Sequence, residues 1–346
     1  MKSGFKRRRL TGEAAAASMR EQFGLPGPKQ LGRDMKSILG QFGGVAPIDL
    51  TTARQFRPLI ALPAYAGYVP ESGVAPIMHL FDRTGGGKDF RHIATKRHQR
   101  DWRGGRLSYD EHDGVDFVCP PRMPVAAAAP GVVVATRRSF LRGGLTACVD
   151  HGAGVVTQYT HLTRMASEVG QPVRRGDLIA FSGSGGLDMV SGFPLVPPHV
   201  HFMTWVDGIP VDPYRRSDDP PIRVGWLEKN KARTSGPLKD DPKPIALDDV
   251  AVDEAALERV LNQCLDSTIA AELDAAGHPA TQLAILEDSL HHDRKAWPEG
   301  LFGGKLRGGP AAEVRITMPL SAEDYHSAEP DDNDYTRPPE GWRDAV

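Results

Sequence analysis

Cysteine is scarce in this chain: Cys119, Cys148 and Cys264 are the only three in 346 residues. An odd, widely spaced set argues against a disulfide framework, and it holds no cluster with the spacing of a thiolate zinc site. Long hydrophobic runs are missing too. No window approaches 18 consecutive apolar residues, which excludes a membrane-spanning helix. The basic run Lys6, Arg7, Arg8 and Arg9 is followed, behind Glu13, only by the short apolar stretch Ala14–Ala17. The N-terminal sequence therefore shows no export signal. Charge of one sign is also lacking, since 42 basic and 44 acidic residues leave a formal net charge of -2. That balance gives no reason to expect nucleic acid as a partner.

What the chain does have is turn-forming residues, 37 glycines and 29 prolines, which favour short elements and irregular connections over a mainly helical protein. Residues 1–103 read as a partly irregular extension, with helical pieces at Ala14–Phe23 and Leu31–Leu39 and apolar segments at Leu59–Leu62 and Val74–Phe81. Residues 104–215 change character. Val132–Val134, Thr146–Asp150, Val155–Tyr159, Asp177–Phe181 and His199–Val206 are short β-rich runs between glycine and proline turns, and Asp207–Gly208 is a hairpin turn. No crossover helix of a dozen residues separates them, so the fold class is mainly β, a compact antiparallel domain with helical and irregular flanks. Residues 216–322 carry a helical hairpin. One helix is marked by Leu257, Val260, Leu261, Cys264, Leu265 and Leu273, and a second runs from Thr281 to Leu290, followed by a strand at Val314, Ile316 and Met318. The hairpin either packs on the rest of the chain or offers a surface to a protein partner or second copy. Residues 323–346 read as an acidic, proline-bearing tail.

Three histidine motifs punctuate the β section. His112 and Asp116 stand four residues apart and can meet across a turn. His199 and His201 alternate, so a strand projects both to one face. Tyr159 and His161 alternate in the same way. These groups suit zinc, which accepts imidazole nitrogen and carboxylate oxygen and, in a catalytic site, keeps one position open. A histidine left over from coordination can move a proton or support a developing oxyanion. Spacing alone leaves open which side chains coordinate. His79, His92, His98, His278, His291, His292 and His326 have no metal-binding spacing and read as surface or packing residues, and His151 reads as structural.

At these residues the chain resembles the lysostaphin- and LytM-like zinc endopeptidases of peptidase family M23. The matching stretches are His112–Asp116, Pro124–Val125–Ala126 through Pro130–Gly131–Val132–Val133, Tyr159–Thr160–His161–Leu162 and His199–Val200–His201–Phe202. Between and after them Asp150–His151–Gly152, Arg175–Gly176–Asp177–Leu178–Ile179, Ser182–Gly183 and Gly208–Ile209–Pro210–Val211–Asp212–Pro213 fall in the same order. The resemblance covers residues 110–214. It implies a LytM-like antiparallel β domain with a groove across the sheet, and zinc held by His112, Asp116 and His201. His161 and His199 would be the catalytic histidines, with Tyr159 a transition-state contact. It also implies a bacterial protein whose substrate is an amide bond in peptidoglycan, and so a place at the cell envelope.

One departure bears on substrate choice: the loop 184–198 is longer and more apolar than the family's usual glycine-, threonine- and serine-rich one, which alters a wall of the groove. Three functions compete on this reading. The first is a zinc endopeptidase. The second is a non-cleaving module of the same fold that controls a partner hydrolase. The third is zinc hydrolysis of another amide or ester.

Overall fold

The computed structural model describes residues 7–9, 19–23, 25, 27–29, 31–32, 56–81, 112–140, 143–215, 223–262, 264, 267–289, 306–307 and 312–331. Half of the helical piece at Ala14–Phe23, most of that at Leu31–Leu39, and His92, His98, His291 and His292 lie outside them. The elements before the β section are β1 (Arg7–Arg9), α1 (Met19–Gln22), α2 (Pro58–Tyr65), β2 (Tyr68–Pro70) and β3 (Val74–Ile77). The β section itself comprises β4 (Val115–Val118), β5 (Pro124–Ala126), β6 (Gly131–Ser139), β7 (Gly144–Asp150), β8 (Val155–Met165), β9 (Pro172–Val173) and β10 (Leu178–Ser182). It ends with α3 (Leu187–Gly192), β11 (His199–Val206) and β12 (Ile209–Val211). Then follow β13 (Val224–Trp226), α4 (Glu254–Leu261), α5 (Ser267–Ala276), α6 (Pro279–Ser289), β14 (Val314–Ile316) and β15 (Ser327–Pro330).

One large sheet dominates, in the order β15-β3-β4-β11-β8-β7-β6-β9, with β12 beside β11 and β10 bridging β5 and β8. The mainly β expectation is met, and pairing inside 104–215 is antiparallel throughout. The β11–β12 hairpin turns at Asp207 and Gly208, both at positive φ (50° and 78°), the backbone that a two-residue primed turn needs. Strands from outside 104–215 join the same sheet. β3 lies against β4, and β15 pairs with β3 in parallel. The stretch from 323 therefore begins with an integral edge strand, although its acidic, proline-bearing composition reads as a tail. The edge position explains this, because Pro330 can sit where no further ladder bond is required.

The pleat divides the side chains. Val133, Ala147, Val149, Tyr159, Val200 and Phe202 enter one apolar cluster, together with Ile316, Val224 and Trp226 from the small parallel sheet β13–β14. Val132, Val134, Cys148, Val156, Met203 and Trp205 face the other way and are covered by α4, α5 and α6 through Leu257, Val260, Ile269, Leu273, Leu283 and Leu286. The region read as one helix over 257–273 is two, because Leu261 is followed by a turn in which Cys264 N–H bonds to Leu261 O. The apolar faces of these helices are spent on the sheet, the first of the two alternatives considered from sequence. On β11 the histidines share the helix-covered face, since His199 and His201 continue the alternation of Met203 and Trp205. The helices roof one half of this face, and the other half holds the histidines.

Candidate metal centre

Asp116 is the hub of the group. β4 and β11 pair so that His201 lies directly opposite Asp116 and His199 opposite Val118. Directly opposed residues in an antiparallel pair put their side chains on one face, and His201 Nδ1 comes to 2.7 Å from Asp116 Oδ1. His199 Nε2 is 3.5 Å from the same oxygen. The turn before β4 folds His112 back, with its Nε2 3.0 Å from Asp116 Oδ2. Glycine is required inside that turn, since a Cβ on Gly114 would stand 2.6 Å from Phe202 O and 2.8 Å from His201 Cε1.

The rings are held from behind. His112 Nδ1 meets Leu80 O at 2.8 Å, His199 Nδ1 meets Pro197 O at 2.8 Å, and His161 Nδ1 meets Gly185 O at 2.6 Å. A carbonyl only accepts, so each ring carries its N–H on Nδ1 and turns Nε2 toward the group. This is the outer support that coordinating and proton-moving histidines need. His201 is held the other way round, with Nδ1 facing Asp116 and Nε2 3.3 Å from Asp113 Oδ1. The catalytic pair of the sequence reading is also close, with the His161 and His199 rings edge to face at 4.8 Å.

His161 reaches the group through a break in β8. It has φ of 61°, and the β7–β8 register shifts between Leu145 and Ala147. The alternation slips there by one residue, so Tyr159 and Leu162 fall in the same apolar cluster. The structure therefore does not bring Tyr159 to the histidines. Its hydroxyl accepts from Ala128 N–H at 2.9 Å and lies 2.8 Å from Thr157 Oγ1, with the ring fully buried against Phe202.

Burial and charge set the protonation. Burial pushes the pKa of His161 well below the ordinary value, and the neighbouring His199 and His201 add to this. It lowers His199 as well. Burial also pulls on His201, but its hydrogen bonds to Asp113 and Asp116 win and raise it to about 9. Asp116 is raised by burial yet ends well below the usual carboxylate range, because His112 and His199 stabilise its charge. The result is the Asp116 carboxylate set among imidazoles in a dry setting, a set of nitrogen and oxygen donors that fits zinc.

Two residues that the sequence reading passed over belong to this group. Asp113 supports His201, yet nothing in the spacing marks it. His79, read as surface or packing, is buried, with Nδ1 2.9 Å from Asp116 Oδ2. Ligand atoms of His79, His112 and Asp116 all lie within 4.8 Å of one another. Only the pairing of β3 with β4, unseen in sequence, places His79 there.

Residues 110–213 match the model of Peptidase family M23. That stretch is similar to the M23 peptidases. Peptidoglycan DD-endopeptidase ShyA of Vibrio cholerae is 38% identical over 101 residues, which is 29% of this chain and 22% of that protein. DD-carboxypeptidase/endopeptidase Mpg of Neisseria meningitidis is 35% identical over 102 residues, 30% of this chain and 22% of that protein. The chain spans about a fifth of the length of these curated relatives. Among solved structures, the catalytic domain of lysostaphin from Staphylococcus simulans is 29% identical, over 30% of this chain and 77% of that one, with a TM-score of 0.26. The M23 stretch begins just before His112 and ends after β12. It contains His112, Asp113, Asp116, His161, His199 and His201 but not His79.

The loop before His199 is a packed wall. Met189 and Val196 are buried with Ala64, Met78 and Val118, and the Phe193 ring meets Tyr65 at 4.9 Å and Phe23 at 5.2 Å. No helix among the described residues is long and apolar enough to cross a membrane.

Proposed function

We propose that this chain is a zinc metalloendopeptidase that hydrolyses amide bonds in the cross-linking peptides of bacterial peptidoglycan. The observation that carries the proposal is the buried Asp116 carboxylate, paired across strands with His201 and flanked by histidines whose Nδ1 atoms are tied to backbone carbonyls. The substrate class follows from the relatives, which are named for peptidoglycan or DD-peptide cleavage.

His112, Asp116 and His201 would hold the metal. Zinc bound there supplies a Lewis acid that lowers the pKa of water and polarises a carbonyl. The protein supplies proton traffic and orientation. His161 and His199 are kept neutral by burial, each with its N–H committed to a carbonyl, so each presents a lone pair at Nε2. One Nε2 can take the proton released by the attacking water and pass it to the departing amine, while the charged ring steadies negative charge on the tetrahedral carbon's oxygen. The surrounding apolar packing keeps bulk water from screening these charges.

The test measures zinc content and cleavage of purified peptidoglycan, with His201→Ala and His161→Ala beside the wild type. The expected result is one zinc per wild-type chain, loss of metal in His201→Ala, and retained metal without turnover in His161→Ala. Wild-type protein without stoichiometric zinc defeats the proposal. Zinc-loaded protein that cleaves nothing, as wild type and as His79→Ala alike, transfers the case to the non-cleaving regulatory module.

A further inference from the structure

We propose that His79 is a fourth protein ligand of the metal, contributed by a strand outside the M23 stretch and completing a set of His79, His112, Asp116 and His201. This rests on the zinc reading above and goes beyond it, because three ligands leave an open position and four close it.

The placement is built into the backbone. Ile77 pairs with Phe117, Met78 N–H donates to Asp116 O at 2.9 Å, and Asp116 N–H donates to His79 O at 3.0 Å. His79 is thus tied by its main chain to the very residue its ring addresses. Behind it, β15 pairs with all four residues of β3, and Asp331 N–H caps the run on Ile77 O at 3.0 Å. The Arg57 guanidinium holds Asp331 in turn, at 3.1 Å. A packing histidine has no need of such aim.

The distances suit one ion. Two donors bound to zinc at about 2.0–2.1 Å and spread at the tetrahedral angle stand roughly 3.3–3.4 Å apart. His79 Nδ1 and His112 Nε2 lie 2.9 Å and 3.0 Å from Asp116 Oδ2, and His201 Nδ1 lies 2.7 Å from Oδ1. The two pairs on Oδ2 need to open by only a few tenths of an ångström, and ligand atoms of His79, His112 and Asp116 already lie within 4.8 Å of one another; His201 faces the other oxygen and must move further to join them. A divalent cation among these atoms takes the place of the protons now shared between rings and carboxylate. His79 also sits beside His112, ring centroids 5.3 Å apart, while the His161 and His199 rings pair with each other at 4.8 Å. It therefore adds a donor without displacing either proton-moving ring. With His79 in place as a fourth ligand no position remains for water or substrate, so the site rests closed.

Cobalt(II) loaded in place of zinc reads the ligand set directly. The deciding variant is His79→Cys, which keeps a donor at this buried position. Its cobalt form is expected to show the near-ultraviolet thiolate-to-cobalt charge-transfer band that the wild type, whose grouped ligand atoms among the described residues include no cysteine, lacks. His79→Ala is expected to weaken zinc about tenfold or more in chelator competition. Its cobalt spectrum should respond to azide where the wild-type spectrum does not. A His79→Cys protein that binds cobalt without the band overturns the proposal and leaves the zinc reading intact. A wild-type cobalt spectrum that shifts with azide does the same. A wild type that binds no metal defeats both.

Discussion

Asp113 sits between His112 and Gly114 in the turn that builds the metal centre, and its carboxylate faces the far nitrogen of His201. A carboxylate there keeps a proton on Nε2 and leaves Nδ1, the atom facing Asp116, as the nitrogen that would coordinate the proposed zinc. Asp113→Asn is expected to weaken zinc by about 10–100-fold while the fold survives, measured by chelator competition and far-ultraviolet circular dichroism. Unchanged affinity would show that the tautomer of His201 is set elsewhere. Another single residue contributes to acid stability. His151 accepts or donates on both ring nitrogens, to Pro130 O at 2.9 Å and Thr157 Oγ1 at 2.7 Å, and burial lowers its pKa to about 4. A histidine with a folded-state pKa below the unfolded 6.5 contributes stability at higher pH. That contribution fades as pH falls from 6.5 toward 4. The ring is only half-buried, so the loss is on the order of 2 kcal/mol. Denaturant titrations from pH 7 to 4 are expected to show a shallower decline for His151→Gln than for the wild type.

At the scale of elements, the site depends on where two strands depart from regularity. β7 starts at Gly144, φ 70°, and a Cβ there would stand 2.5 Å from both Cα and C of Gly185. Gly185 is the residue whose carbonyl holds His161. Gly144→Ala is therefore expected to push that carbonyl aside and cost about 100-fold in turnover with zinc content unchanged. Equal turnover would show that His161 finds its orientation without Gly185. This also explains what the sequence could and could not convey. Alternation in His199–Val206 correctly paired His199 with His201, because β11 is regular. The same rule failed at Tyr159 and His161, because the positive φ at His161 and the slip against β7 are backbone events that side-chain periodicity does not record. His112 and Asp116 were legible as a local turn. Asp113 was not, because its role depends on His201, which only the β4–β11 register brings near. His79 was hidden for the same reason, its partner lying 37 residues along the chain.

Across the whole molecule, the helical layer and the M23 stretch are joined by buried charge. Arg307 is 5% exposed and bonds Asp150 at the end of β7 and Glu287 on α6, with Nε 2.8 Å from Glu287 Oε1. Nearby, Arg137 on β6 meets Glu272 on α5 and Asp288 on α6, and Asp288 also accepts from Gln158 Nε2 on β8 at 2.8 Å. Gln158 pairs with Met203 on β11, two residues from His201, so α6 ends where the histidine half of the face begins. The helices thus complete the core and end beside the histidine half of the sheet face. Removing Arg307 leaves two carboxylates buried without their cation, an arrangement that costs about 3–5 kcal/mol. Burial already raises the pKa of Glu287 with Arg307 present. Arg307→Met is expected to lower the melting temperature sharply, and adding Glu287→Gln should recover part of the loss by removing one stranded charge. Because α4, α5 and α6 share a core with β6, β7, β8 and β11, calorimetry should show one transition for sheet and helices together in every variant. A separate early transition for the helices in Arg307→Met would mean that apolar contact, not the charge network, is too weak to couple them. The helices would then be an independent lid on the sheet.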